Sequence, residues 1–178
     1  MFMIEPSKAR RAAAGYALLE ALIAVIVAAV GFIGAARMQT FGMTLSNSAQ
    51  SRQKATLLGY QMTDRIRANQ QGQNERAYDN LTAGVTTCLA NAAGCGATPL
   101  AAADFGQWAA EVAAQLPAGK GVVCRDSTPE DGTSAAPACD GLNDVIAVKV
   151  WWQDRVSTTT DRPFETRFVT MIQSRVAP

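Results

Sequence analysis

The first third of the chain contains one long apolar run. Glu20 is the only charged residue between Tyr16 and Ala36, and a helix over this stretch would be about 31 Å long, enough to cross the hydrocarbon core of a membrane. A basic cluster at residues 8–11 precedes the run, and such charge stays on the cytoplasmic side of a membrane. The pattern therefore predicts a transmembrane helix over residues 16–37 with its N-terminal end in the cytoplasm.

The helical pattern continues beyond residue 37, but it becomes one-sided. Apolar residues recur every three or four positions, and polar residues fill the positions between them. We expect the stripe from about residue 45 to residue 71 to pack on the chain's own C-terminal part, and Gly72 to end the helix. The amphipathic half of the long helix then covers residues 38–72, and its apolar positions are Met38, Phe41, Leu45, Ala49, Ala55, Leu58, Met62 and Ile66.

Residues 73–178 show shorter patterns, which are typical of a small mixed domain. Apolar spacings of three and four predict a second helix over Ala101–Leu116, and Gly121–Cys124 is expected to be a strand. Alternating apolar and polar residues predict two further strands, Val145–Trp152 and Phe164–Val176, joined by a hairpin. The predicted fold class is α+β, with a long N-terminal α-helix packed on a small antiparallel β-sheet head.

Composition and charge disfavour several classes of function. The chain has no histidine, which removes the commonest general base and a common metal ligand. Residues 73–178 hold eight basic and twelve acidic residues, a net charge of −4, so this part is a poor phosphate-binding surface. We expect no enzyme activity, no catalytic residue, no cofactor and no direct contact with nucleic acid.

The four cysteines form two local groups, Cys88 with Cys95 and Cys124 with Cys139. Their spacings do not match a zinc motif, and no histidine could complete a mixed site. Four cysteines allow three pairings, and the sequence does not decide among them. The local pairing would close two loops and suits an oxidising compartment, whereas four buried free thiols remain the alternative.

Acidic residues cluster in and beside the second cysteine loop. Carboxylate and amide oxygens could bind Ca²⁺, but the spacing fits no recognised calcium loop, and acidic turn residues are usually solvated. We therefore expect no metal here; the residues weighed are Asp126, Glu130, Asp131, Asp140, Asn143 and Asp144.

Glu20 requires an explanation, because a carboxylate at the bilayer centre costs roughly 2.5–3.5 kcal/mol. If the chain were cut after Gly15, the new amine of Tyr16 would lie one helical turn before Glu20 on the same face. The two charges could then pair with each other or with a neighbouring copy and set the register of a helix bundle. Neither a secretory signal cut after the small residues 34–36 nor a plain anchor gives the carboxylate a role.

These residues carry a resemblance to a known family. A basic leader over residues 1–15, then Gly15, the aromatic Tyr16 and a Leu-Leu-Glu that ends at Glu20, resemble the class III signal of type IV pilins and pseudopilins. The resemblance implies that a prepilin peptidase cuts after Gly15 and methylates the amine of Tyr16, and that Glu20 docks the subunit. Phenylalanine is usual at the first mature position, so Tyr16 is a departure from the family pattern.

The segment from residue 46 to residue 72 resembles, more narrowly, minor pilins of the PilV kind. The resemblance implies a subunit that helps to initiate or prime the type IV pilus and so supports motility, adhesion or DNA uptake. Its implied partners are the prepilin peptidase, other minor pilins, the major pilin and the inner-membrane assembly machinery. The implied location is the inner membrane, with a periplasmic head, and then the pilus at the cell surface. The matching residues are Gln53, Leu57, Leu58, Met62, Asp64, Arg65, Arg67, Ala68 and Asn69.

Two other functions remain open at this stage. A minor pseudopilin of a type II secretion system would share the same N-terminal signal, although such proteins tend to be shorter and to lack this cysteine pairing. A membrane-anchored, adhesin-like module could instead present Trp151, Trp152 and the acidic loop to a ligand. In that case Glu20 would have no function in assembly.

Overall fold

One helix, α1, runs from Arg10 to Ala68 over 59 residues in the computed structural model. The structure describes residues 10–85, 88, 94–154 and 164–174, with side chains of α1 from residue 16 onwards. The first nine residues of the expected leader, the middle of the expected hairpin and the last residues of the expected final strand lie outside this range. The chain forms two compact units that meet between Leu45 and Ser46.

The N-terminal unit is a helix whose apolar side chains are exposed all round. From Tyr16 to Met43 every side chain is exposed, and Leu18 and Phe32 each keep 75% of their surface. Each large apolar side chain that stays exposed to water loses roughly 1.5–3 kcal/mol of stabilisation that burial would provide. By length and composition this helix could cross a membrane, and an apolar environment would remove that cost.

The C-terminal unit adds two helices and a four-stranded sheet to the end of α1. A short helix, α2 (Gln70–Asn74), is followed by β1 (Asn80–Leu81) and α3 (Ala97–Gln115). The remaining strands are β2 (Lys120–Arg125), β3 (Val145–Asp154) and β4 (Phe164–Gln173). The sheet is antiparallel in the order β1-β2-β3-β4. A long N-terminal helix followed by a small antiparallel sheet confirms the α+β class.

The expected helix stop at Gly72 is wrong. α1 ends at Ala68, Asn69 leaves helical geometry with φ −100° and ψ 67°, and Gly72 lies inside α2. The Asn69 side chain turns back and accepts a hydrogen bond from the Gly72 amide at 3.0 Å. A Cβ on Gly72 would approach Asn69 Nδ2 to 2.5 Å, so glycine provides room for the cap of the next helix.

The main core lies where α1, α3 and one face of the sheet meet. The four apolar positions of α1 from Ala55 to Ile66 are buried, as predicted from their spacing. Alternation on β3 is confirmed as well, because its odd and even positions face opposite sides of the sheet. The earlier part of the stripe differs, since Met38, Phe41 and Leu45 are exposed. The other residues buried in this core include Phe105, Trp108, Val112, Leu116, Ile146, Val148, Val150, Trp152 and Ile172.

Trp108 of α3 joins three elements of this core. Its Nε1 donates a hydrogen bond to the carbonyl oxygen of Leu58 in α1 at 2.8 Å. Its ring occupies the space above Gly121 in β2, where a Cβ would come within 2.4 Å of the indole. The absence of a side chain at Gly121 therefore lets α3 approach the sheet.

The opposite face of the sheet is also buried. Val122, Cys124 and Trp151 form a second apolar cluster, and Lys149, which lies on this face, is fully buried. Both adjacent tryptophans are buried, with Trp151 1% and Trp152 2% exposed. Neither indole is available for presentation at the surface.

Replacing Gly121 by alanine should destabilise the C-terminal unit by about 1–3 kcal/mol, because the added methyl group meets the Trp108 ring. Urea unfolding of the full chain in detergent, followed by tryptophan fluorescence, measures the loss. Gly96→Ala is the matched control, because its Cβ would lie 3.7 Å from Pro99 Cδ at ordinary contact distance. Equal midpoints for the two variants would contradict the packing described here.

Candidate functional site

The predicted assembly residues lie at the start of the exposed apolar helix. Gly15 belongs to the helical backbone of α1, and Tyr16 directly after it is 80% exposed. Glu20 lies one turn further along the helix and is exposed too. Tyr16 and Glu20 line the same face of α1, and the apolar residues that share this face are Leu19, Ile23, Ala24, Val27 and Ala28.

The structure pairs the cysteines locally. Cys88 bonds to Cys95 with their Cα atoms 5.7 Å apart, and Cys124 bonds to Cys139 at 6.0 Å. Cys124 is buried at the end of β2, so the second disulfide holds the loop that follows this strand against the sheet. Of the three disulfide pairings that the sequence allows, the structure therefore has the local one.

The segment that resembles PilV-like minor pilins makes contacts within the head. Arg65 extends from α1 to α3, where Nη1 donates to the carbonyl oxygen of Asp104 at 3.3 Å and to Gln107 Oε1 at 3.1 Å. Burial raises the pKa of Asp104, and the charge of Arg65 partly offsets this. Asp64 and Arg67 form an exposed pair at 3.5 Å, and such pairs contribute little to stability.

Asn69 closes the same segment as a buried hydrogen-bonding centre. Its Nδ2 donates to Tyr78 Oη at 3.0 Å and to the carbonyl oxygen of Ala97 at 2.8 Å. One side chain thus caps α2, fixes Tyr78 and holds the start of α3. Burial raises the pKa of Tyr78 to about 12, and the hydrogen bond from Asn69 partly opposes that rise.

The acidic residues near the second disulfide have partners within the protein. The Ser127 hydroxyl donates to Asp140, and this hydrogen bond lowers the pKa of the Asp140 carboxyl. The other pairs are Asp126 with Lys149 at 2.5 Å, Asp131 with Thr128 at 2.8 Å, Asp144 with Arg125 at 3.1 Å, and Glu130 with Arg167 at 4.0 Å.

One group of ligand-type atoms comes from Cys124, Asp126 and Cys139, which lie within 4.8 Å of one another. Both sulfurs belong to the Cys124–Cys139 disulfide, and metal binding requires a thiolate. Asp126 faces the ammonium group of Lys149. The two sulfur atoms therefore form a cross-link, and the Asp126 carboxylate forms an ion pair.

Two buried cations were not anticipated from the sequence. Arg125 is 1% exposed, and its Nε contacts Asp79 Oδ1 at 2.7 Å. Lys149 is fully buried in the middle of β3. A single polar residue in an alternating strand indicates the solvent side of a sheet. Lys149 is instead covered by a loop that a disulfide closes and that lies elsewhere in the sequence. The residues next to Lys149 therefore do not indicate that it is buried.

Comparison with known proteins does not identify a family. No protein-family model, no curated protein and no solved structure matches the chain. The likeness to minor pilins therefore rests on the amino-acid sequence alone.

Raising the pH should destabilise the head through Tyr78. Between pH 10 and about 12 the unfolded chain has lost the phenolic proton while the folded chain still keeps it, so the free energy of unfolding falls. We expect a fall of about 1–2 kcal/mol from this group. Unfolding of the full chain in detergent at several pH values measures it.

Tyr78→Phe should remove this part of the pH dependence, whereas Tyr60→Phe should keep it because Tyr60 is 53% exposed. The same alkaline slope in both variants would contradict the assignment to Tyr78.

Proposed function

We propose that this chain is a minor pilin of the PilV kind, a structural subunit that helps to initiate or prime a type IV pilus together with other minor pilins. A prepilin peptidase would cut after Gly15 and methylate the amine of Tyr16. The fibre would then support motility, adhesion or DNA uptake.

The observation that carries the proposal is the position of Glu20. It lies one turn after Tyr16 on a helix that leaves its apolar side chains exposed all round. A helix of this kind inserts into a membrane before assembly and packs among other helices afterwards. Inside such a bundle the carboxylate is costly unless it meets a cation, and the free amine of a processed neighbour supplies one.

The head supports the same function. A long helix followed by a small antiparallel sheet is a pilin-like layout, and two disulfides are typical of a domain exported to an oxidising compartment. The chain would pass from the inner membrane, with its head in the periplasm, to the pilus at the cell surface. Its partners would be the peptidase, the assembly machinery, the other minor pilins and the major pilin.

Glu20→Ala should leave processing intact and abolish incorporation into sheared pili, because breaking a buried ion pair costs about 3–5 kcal/mol. Immunoblots of membranes and of sheared fibres measure the two steps separately. Asp64→Ala is the matched control, since its carboxylate is exposed in an i,i+3 pair, and it should assemble normally. Normal incorporation of Glu20→Ala would contradict the proposed docking function.

Gly15→Val should block the earlier step, because the peptidase requires glycine before the cut. The unprocessed chain would then accumulate in the membrane at its full length. Maturation of this variant at the normal rate would contradict the cleavage assignment.

A further inference from the structure

Among the described residues of the head, the closest contact between opposite charges joins β3 to the loop after β2. Lys149 Nζ lies 2.5 Å from Asp126 Oδ2, and both side chains are 0% exposed. The Val122, Cys124 and Trp151 cluster lies on the same face of the sheet. Removing two charges from water costs several kcal/mol per ion in proteins. A reaction that converts this ion pair into a neutral group would therefore remove a substantial free-energy cost.

The direction of the contacts around Lys149 is unusual for a simple ion pair. Its Nζ donates to the carbonyl oxygen of Pro137 at 2.8 Å, and to Oδ1 and the carbonyl oxygen of Asp131 at 3.2 Å and 3.3 Å. Asp126 Oδ2 accepts no hydrogen bond from the described residues, despite its short distance to the nitrogen. Pro137 and Asp131 thus accept the hydrogen bonds that the nitrogen donates, while Asp126 Oδ2 lies against the same nitrogen without one.

The carboxyl group of Asp126 is arranged for attack by an amine. Its Oδ1 accepts a hydrogen bond from the Thr128 amide at 3.0 Å, and such a donor stabilises the negative charge that develops on a carbonyl oxygen. Its Oδ2 is the oxygen free to leave. Asp131 is the second carboxylate within reach of the nitrogen, and it can carry a proton from the nitrogen to the leaving oxygen.

We propose that Lys149 and Asp126 condense to an intramolecular isopeptide bond. The ammonium group first gives one proton to Asp126 Oδ2, and the neutral nitrogen then attacks Cγ. Asp131 takes a second proton from the nitrogen and returns it to Oδ2, which leaves as water. One N–C bond forms, one C–O bond breaks, and no oxidant, reductant or other reactant is needed.

The bond would close the loop between β2 and β3 a second time. The Cys124–Cys139 disulfide already holds this loop, but a disulfide can be reduced, whereas an amide cannot. The head of a subunit exposed to proteases and mechanical load would keep this loop in place under reducing conditions. The proposal concerns the head alone and holds whether or not the chain assembles into a fibre.

Mass spectrometry of the purified full chain, reduced and alkylated, tests the proposal directly. We expect an intact mass lower by one water. Between Asp126 and Lys149 the chain has no lysine or arginine, so trypsin normally releases one peptide that ends at Lys149. An acylated lysine resists trypsin, and the peptide should extend to Arg155, weigh one water less and give no backbone fragments from inside the ring.

Three variants give the controls. Lys149→Arg should show the full mass. Asp131→Asn should leave the pair in place but lose the proton carrier, so we expect the full mass and cleavage after Lys149. Asp126→Asn should still cross-link, with loss of ammonia instead of water.

A folded, unchanged chain at its full mass, cut by trypsin after Lys149, would overturn the proposal. Complete cross-linking of Asp131→Asn would overturn the function given to Asp131.

Discussion

The indole of Trp108 is the contact on which the head depends, because α1, α3 and β2 meet there. Its hydrogen bond to the Leu58 carbonyl oxygen ties α3 to the long helix, and the bare backbone of Gly121 lets the ring lie against the sheet. Around this contact α1 contributes buried apolar residues only from Ala55 onwards. The head therefore obtains its core without the apolar residues before Leu45, and the proposed membrane insertion and helix packing would bury that exposed surface.

The loop that covers the other face of the sheet is held by ion pairs and by a disulfide. The loop after β2 covers a sheet face that contains a buried lysine, and it is fixed by the disulfide between Cys124 and Cys139 and by contacts from Lys149 to Asp126, Asp131 and Pro137. A buried cation without partners would be expelled or neutralised. The loop thus supplies the groups that allow Lys149 to remain in the strand.

The sequence predicted the elements whose signal is local and repeated. Spacings of three and four identified the buried face of α1 after Ala55 and that of α3, and alternation identified the core face of β3. Three features depend on contacts between distant residues and were missed: the helix break at Asn69, the two-residue strand β1, and the burial of Arg125 and Lys149. Glu20 was noticed for the opposite reason, because a carboxylate in an apolar helix contradicts its local surroundings. Its docking function remains a prediction.

The mass of the N-terminal peptide, from protein made in its native host, distinguishes pilin processing from ordinary signal cleavage and from an uncleaved anchor. A pilin of the proposed kind should give a peptide that begins at Tyr16 and is heavier by one methyl group, because a prepilin peptidase would cut after Gly15 and methylate the new amine. A peptide that begins at Arg37 would indicate ordinary signal cleavage and a secreted head. An intact Met1 would indicate an uncleaved membrane anchor. Either of these two results would contradict processing as a pilin.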